Sequence, residues 1–202
     1  MIFTSEDRLV DEAHKMLGVL SRTRGKAHDV VVGEWVRCWI KLDRYHLAFN
    51  PAPVVGSHTA DILFLEPECD DMPILRPVGV AEIENSRDKW FEKLESLIEY
   101  IKEYQLRFAL LCVRVYQNSR YDVKSFDQLK EKVISLSKDI PNVNWILYRL
   151  DESPWGKDKY LITFKPDPEA EIYAYRFIFG GEGIIIKNGE VTLRSNHATG
   201  LK

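Results

Sequence analysis

Val78-Gly79-Val80-Ala81-Glu82-Ile83-Glu84-Asn85 is followed, from Arg87 to Gln105, by RDKWFEKLESLIEYIKEYQ. The first segment alternates as a β-strand does, so Glu82 and Glu84 share one face and Ala81 and Ile83 the other. In the second, Trp90, Leu94, Leu97, Ile101 and Tyr104 recur in steps of three and four, which predicts a helix over 87–105. An acidic strand therefore runs directly into a long amphipathic helix.

Working outward, TADILFLE (59–66) predicts a preceding strand with Asp61 at its start. PECDDMPILRP (67–77) holds three prolines and predicts a turn or irregular connection. NPAPVVG (50–56) predicts a loop. DVVVGEWVRCWI (29–40) is rich in Val, Trp and Ile and predicts another strand. In the first 21 residues Leu9, Ala13, Met16, Leu17 and Leu20 recur at helical spacing. Beyond the central helix, Phe108–Tyr116 is a continuous apolar run, as expected of a strand covered on both faces. A helix over 125–138 and a strand over 143–150 follow. The last part carries short strand patterns at 159–165, 171–179, 183–187 and 190–194, with Asn188-Gly189 as a hairpin signal.

The expected class is α/β: a mixed sheet flanked by helices in the order α-βββ-α-β, with a β-rich C-terminal extension. The chain divides on this basis into a core of 1–155 and an extension of 156–202. The extension either continues the sheet or forms a small appendage, packed on the same domain or at a dimer interface.

With 202 residues, 45% hydrophobic and 29% charged, the chain has an ordinary globular balance and is not intrinsically disordered. The net charge of −3 excludes a strongly basic DNA-coating protein, though a local basic groove is compatible with it. Cys38, Cys69 and Cys112 form no CxxC pair, so neither a disulfide framework nor a zinc site is indicated. Charges near the N-terminus stand where a signal peptide needs an apolar core, and no apolar run has membrane-spanning length. A soluble cytoplasmic protein is expected. His14, His28, His46, His58 and His197 show no ligand spacing and are expected to be surface or satisfied histidines. Neither a P-loop nor a GxSxG elbow is present.

The carboxylates carry the chemistry. If the strands at 59–66 and 78–85 pair antiparallel, Asp61 sits beside Glu82 or Glu84. Two carboxylates about 5 Å apart repel by roughly 3 kcal/mol at an effective dielectric of about 20. A hard divalent cation offsets such a cluster, and Mg²⁺ is held by one or two carboxylates plus waters and phosphate oxygens. The alternative is that Glu82 and Glu84 merely line the solvated face of an antiparallel sheet.

An aspartate on one strand, then an acidic-x-acidic strand, then at once a long helix, resembles the PD-(D/E)XK nuclease superfamily, with its restriction endonuclease-like fold. The resemblance covers about residues 5–150. It implies Mg²⁺ or Mn²⁺ held by Asp61, Glu82 and Glu84, phosphodiester hydrolysis in DNA, and in many members a homodimer. Two positions differ from the pattern. Ala60 replaces the usual proline, and Glu84 replaces the usual lysine; some members have ExE there, and others recruit a basic residue from the following helix. A nuclease-fold module that binds nucleic acid or mediates assembly without catalysis is the alternative function.

The missing cation has candidates. At about 100° per residue, Arg87 falls on the sheet-facing side of the helix and Lys93 at its flank, while Lys89 points farther out as a nucleic-acid contact. Each is otherwise an ordinary surface charge. Glu6 lies on the apolar face of the first helix, where resolvases of the superfamily carry an active-site glutamate; it is otherwise a helix-dipole carboxylate. Arg22, Arg24 and Lys26 form a basic loop that could contact a phosphate backbone or simply be solvated.

Overall fold

Residues 29–40 are helical, not extended. In the computed structural model, α1 runs Ala27–Leu42 and buries Val31, Val32, Trp35, Cys38 and Trp39. That period is close to 3.6, and it overrides the β propensity of Val and Trp. Glu34 and Arg37 pair on the outer side at 2.8 Å. The structure describes residues 5, 6, 8–10, 12, 13, 27–69, 72–116, 119–152, 172–178, 181–187 and 190–193. The expected strand at 159–165, the Asn188-Gly189 turn and residues 14–21 lie outside them; the described residues between 5 and 13 are helical.

Three strands still separate the early helices from the central one. They are β1 (Leu47–Phe49), β2 (Ile62–Cys69) and β3 (Met72–Glu84). Residues 67–69 and 72–77 are strand, since β2 and β3 extend through them, with Leu65 opposite Pro77 and Pro67 opposite Leu75; residues 70 and 71 lie outside the described residues. The prolines are tolerated for two reasons. β4 pairs with β3 only from Gly79 onward, so Pro77 needs no N–H on that side. The β2–β3 ladder also has register shifts near Leu65 and Pro67.

A 3₁₀ turn (Arg87–Lys89) leads into α2 (Trp90–Tyr104). Then come β4 (Phe108–Tyr116), α3 (Arg120–Asp139) and β5 (Asn144–Glu152). α3 begins earlier than the 125–138 expected, because the Ser119 hydroxyl accepts the Asp122 amide at 3.1 Å and caps it. β6 (Ile172–Ile178), β7 (Gly181–Lys187) and β8 (Glu190–Leu193) follow. All eight strands form one sheet in sequence order. β3–β4 and β4–β5 are parallel, and every other neighbour is antiparallel. The C-terminal strands thus extend the sheet from β5.

Both faces of the central strands are dry. Trp90, Leu94, Leu97 and Tyr100 of α2, with Phe126, Leu129 and Val133 of α3, cover Leu63, Val80, Leu111 and Val113. Trp35 and Trp39 of α1, with Leu9 and Ala13, cover Phe64, Ala81, Ile83, Phe108 and Cys112. The alternation of β4 between these two cores explains its unbroken apolar sequence. Gly79 is required at its position, because the Phe108 ring lies over it and a Cβ there would come within 2.1 Å of ring carbon.

Candidate functional site

The register Ile62–Ala81 and Leu63–Val80 brings Asp61 alongside the end of β3. Its Oδ2 accepts the Ile83 backbone N–H at 2.7 Å. The loop carrying Asp61 is tied down by Tyr100 of α2. That phenol accepts the Ala60 N–H at 3.0 Å and donates to the Pro53 carbonyl. Ala52 N–H to Ala60 O, at 3.0 Å, closes the loop across its base. A proline at position 60 would have no N–H for Tyr100, so Ala60 has a local structural use.

Glu82 faces the α2 side and is completely buried. It does not line a solvated sheet face. Its Oε2 accepts from Lys93 Nζ at 2.9 Å, and its Oε1 has no hydrogen-bond partner. The nearby Ser96 hydroxyl is also unpartnered, although its proximity favours the charged carboxylate. Burial pushes Glu82 up to about 7, against the pull of Ser96 and Lys93, and the neighbouring Asp61 charge adds to the rise. Burial alone would also raise Asp61, but His28, the Ile83 amide and Lys93 outweigh it and hold Asp61 below its ordinary value. The two carboxylates are pushed apart in pKa, so Glu82 takes up a proton before Asp61 does as pH falls. Burial would lower Lys93, but Glu82, Asp61 and Glu84 together raise it, so it stays cationic.

A second cation arrives from the opposite face. His28, in the first turn of α1, places Nε2 3.3 Å from Asp61 Oδ1 and Nδ1 3.1 Å from Asp29. The Asp61 contact raises His28 to about 9. The sequence offered no ligand spacing for this histidine. Read at period 3.6, however, it shares a face with Val31, Val32 and Trp35, and that is the signal the strand expectation concealed.

The other expected site residues divide sharply. Lys93 sits at the flank of the apolar face, as its helical angle requires. Arg87 does not reach the carboxylates; its guanidinium turns to Asp122 at 3.4 Å and to Asp88. The reason is that 87–89 form a 3₁₀ turn, so extrapolation at α-helical pitch misplaces that side chain. Lys89 is exposed on the same turn. Glu84 does not join Asp61 and Glu82 in a three-carboxylate cluster. Its Oε1 accepts the Ser86 amide at 2.7 Å, turning back on its own loop. Among the described residues, no group of three or more His, Cys, Asp and Glu side chains is arranged to hold a metal ion.

Glu6 stands apart from the site. It is fully buried, accepts from Asn144 Nδ2 at 2.7 Å and pairs with Arg107 at 3.3 Å. Arg107 also grips Glu66 through two bonds of 2.7 and 2.9 Å, and Arg76 adds a contact at 3.2 Å. The Arg107 amide bonds Val78 O, four residues before Glu82. At about 3.3 Å per strand residue, this network is roughly 13 Å down the sheet from Glu82. The first helix packs with its opening turn against the start of β4 and β5, which removes Glu6 from the catalytic candidates. Arg22, Arg24 and Lys26 lie outside the described residues.

No family model and no curated protein sequence matches the chain. Among solved structures it is similar to the central domain of yeast acetyl-CoA carboxylase, at 12% identity and a TM-score of 0.42. The likeness covers 88% of this chain and 29% of that one, and at this score it carries no argument. Among the described residues, no helix is long and apolar enough to cross a membrane.

Proposed function

We propose that the chain is a metal-dependent nuclease with a restriction endonuclease-like fold of the PD-(D/E)XK kind, hydrolysing phosphodiester bonds in DNA. One observation carries this reading: a lysine from the helix after the acidic strand reaches the buried Glu82 beside Asp61. The superfamily pattern asks for a cation at the acidic pair. Here Lys93 supplies it from the helix, while Glu84 occupies the strand position.

The donor set suits a hard divalent ion. Glu82 keeps one buried, unpartnered oxygen, and Asp61 adds a carboxylate held ionised. Mg²⁺ needs no more than one or two carboxylates besides water and phosphate oxygens. Asp61 and Glu82 would hold Mg²⁺ or Mn²⁺, with Glu84 as a third candidate after its loop rearranges. The bound ion would neutralise charge on the scissile phosphate and acidify a water. Lys93, about a quarter exposed, can orient a phosphate oxygen by turning one of its three donors outward. The exposed Lys89 can contact the backbone next to the site. Homodimerisation through the C-terminal strands is a separate part of the proposal, and a monomer by light scattering at micromolar concentration removes it.

Cleavage of plasmid and oligonucleotide DNA with Mg²⁺ or Mn²⁺ tests the reading. Asp61→Ala and Glu82→Ala should abolish cleavage while circular dichroism stays unchanged. Full activity in both variants refutes it. A non-catalytic nuclease-fold module is the second reading, favoured by one observation: each carboxylate already has an internal cation, His28 for Asp61 and Lys93 for Glu82. DNA binding without cleavage or Mn²⁺ uptake would select it.

A further inference from the structure

Asp61 is held by both of its oxygens. Oδ2 takes the Ile83 N–H at 2.7 Å, and Oδ1 faces His28 Nε2 at 3.3 Å. The far nitrogen of the ring, Nδ1, is 3.1 Å from Asp29 Oδ1. Both neighbours of the ring are carboxylates, which accept only, so Nδ1 donates to Asp29 and Nε2 carries its proton toward Asp61 as an ion pair. The result is a line, Asp29 to His28 to Asp61, reaching the site across the sheet from Lys93. Its base is rigid, because Val31, Val32 and Trp35 of the same helix are buried against the sheet.

We infer that His28 is a positioning residue, fixing the plane of the Asp61 carboxylate for the cation that the proposed nuclease requires. The inference rests on the nuclease reading. A carboxylate has about four lone-pair sites, so Oδ1 retains one for a metal beside the His28 ion pair. Asp29 offsets the charge of the ring, which limits its competition with a divalent ion. Partners of this kind typically contribute about 10–100-fold in metal affinity. Without His28, the carboxylate keeps only the Ile83 bond and is free to turn about it.

Calorimetric titration of the full chain with MnCl₂, without DNA, tests this, alongside thermal unfolding of each variant. His28→Ala should bind Mn²⁺ about 10–100-fold more weakly than the unaltered chain. His28→Phe keeps the ring's bulk but has no donor, so it should show the same loss even if His28→Ala fails to fold. His28→Gln can return a donor near Nε2 and should recover most of the affinity. Equal or tighter Mn²⁺ binding by His28→Phe overturns the inference, since it would make the contact structural or competitive. A loss of melting temperature in His28→Phe with no change in Mn²⁺ affinity overturns it as well. If the unaltered chain takes up no Mn²⁺, the metal-nuclease reading falls and this inference with it. Normal uptake there, unchanged in His28→Phe, sinks the positioning role alone.

Discussion

Lys93→Met removes the cation from Glu82 and keeps an apolar stem of similar length. At 2.9 Å the pair attracts by about 6 kcal/mol at an effective dielectric of about 20, most of it offset by desolvation. The useful quantity is therefore the proton on Glu82. Its folded-state pKa is raised from 4.5 to about 7. Between those values the folded chain holds a proton that the unfolded chain has released, so stability falls as pH rises through the window. The fall amounts to about 3 kcal/mol and levels off above pH 7. Lys93 remains charged there, because its own pKa is raised. In Lys93→Met the Glu82 carboxyl rises further, and stability continues to fall by about 1.4 kcal/mol per pH unit. By pH 9 the variant should have lost about 2–3 kcal/mol more than the unaltered chain. Titration of His28 affects both proteins and cancels in the difference. Urea unfolding from pH 4.5 to 9, followed by tryptophan fluorescence, measures this; Glu82→Gln should lack the slope between 4.5 and 7. Parallel curves for the unaltered chain and Lys93→Met between pH 7 and 9 would refute the reasoning.

Gly79→Ala puts a Cβ into the buried Phe108 ring and should cost about 1–3 kcal/mol or more in urea unfolding. Arg107→Ala strands the buried Glu6 and should cost about 3–5 kcal/mol, while Mn²⁺ titration stays unchanged because the site is at the other end of the sheet. Ala60→Pro removes the N–H that Tyr100 accepts and should lower stability by about 1–3 kcal/mol, with weaker Mn²⁺ binding as Asp61 loosens. Cys38 and Cys112 are buried and pushed up by that burial to about 11 and 12, so a thiol reagent at pH 8 should leave both unmodified until the chain unfolds; peptide mapping by mass spectrometry reads this directly.

The strand and the helix around Glu82 were legible because the two periods change near Asn85, but the turn of Glu84 back onto Ser86 was not. The pairing of Asp61 with that strand followed from one antiparallel register. Lys93 followed from helical angle, since 90–104 is regular α-helix. Arg87 did not, because it opens a 3₁₀ turn, Arg87–Lys89, that precedes the α-helix. α1 was misread because Val, Trp and Ile favour strands locally, and only the buried face of a whole helix reveals the period. That single error hid His28. Pro67 and Pro77 misled for the opposite reason: a proline is excluded from a central ladder, but Pro67 lies on β2 beyond its pairing with β1, and Pro77 on β3 before its pairing with β4. Glu6 shows the limit of facing arguments. Its position on an apolar face was correct, but the end of the sheet that face meets is set by packing over more than a hundred residues.

The two ends of the sheet carry different pH signatures. At one end burial would raise Glu66, but Arg107 and Arg76 outweigh it and hold it low, so its contribution is present above the ordinary carboxylate range and is lost as acid protonates it. At the other end His28 is raised to about 9, chiefly by Asp61, so its contribution is complete below 6.5 and is lost as base removes the proton. Glu82 weakens that same end as pH rises from 4.5 to 7. Acid therefore loosens both ends, at Glu66 and at Asp61, which is likewise held below its ordinary value, whereas alkali loosens only the carboxylate site. Amide exchange should follow, with Arg107 and Asn144 losing protection in acid but not in base, and Ile83, whose N–H bonds Asp61, losing it in both. One sheet thus has two fraying points, and only the one where the proposed chemistry takes place answers to alkali.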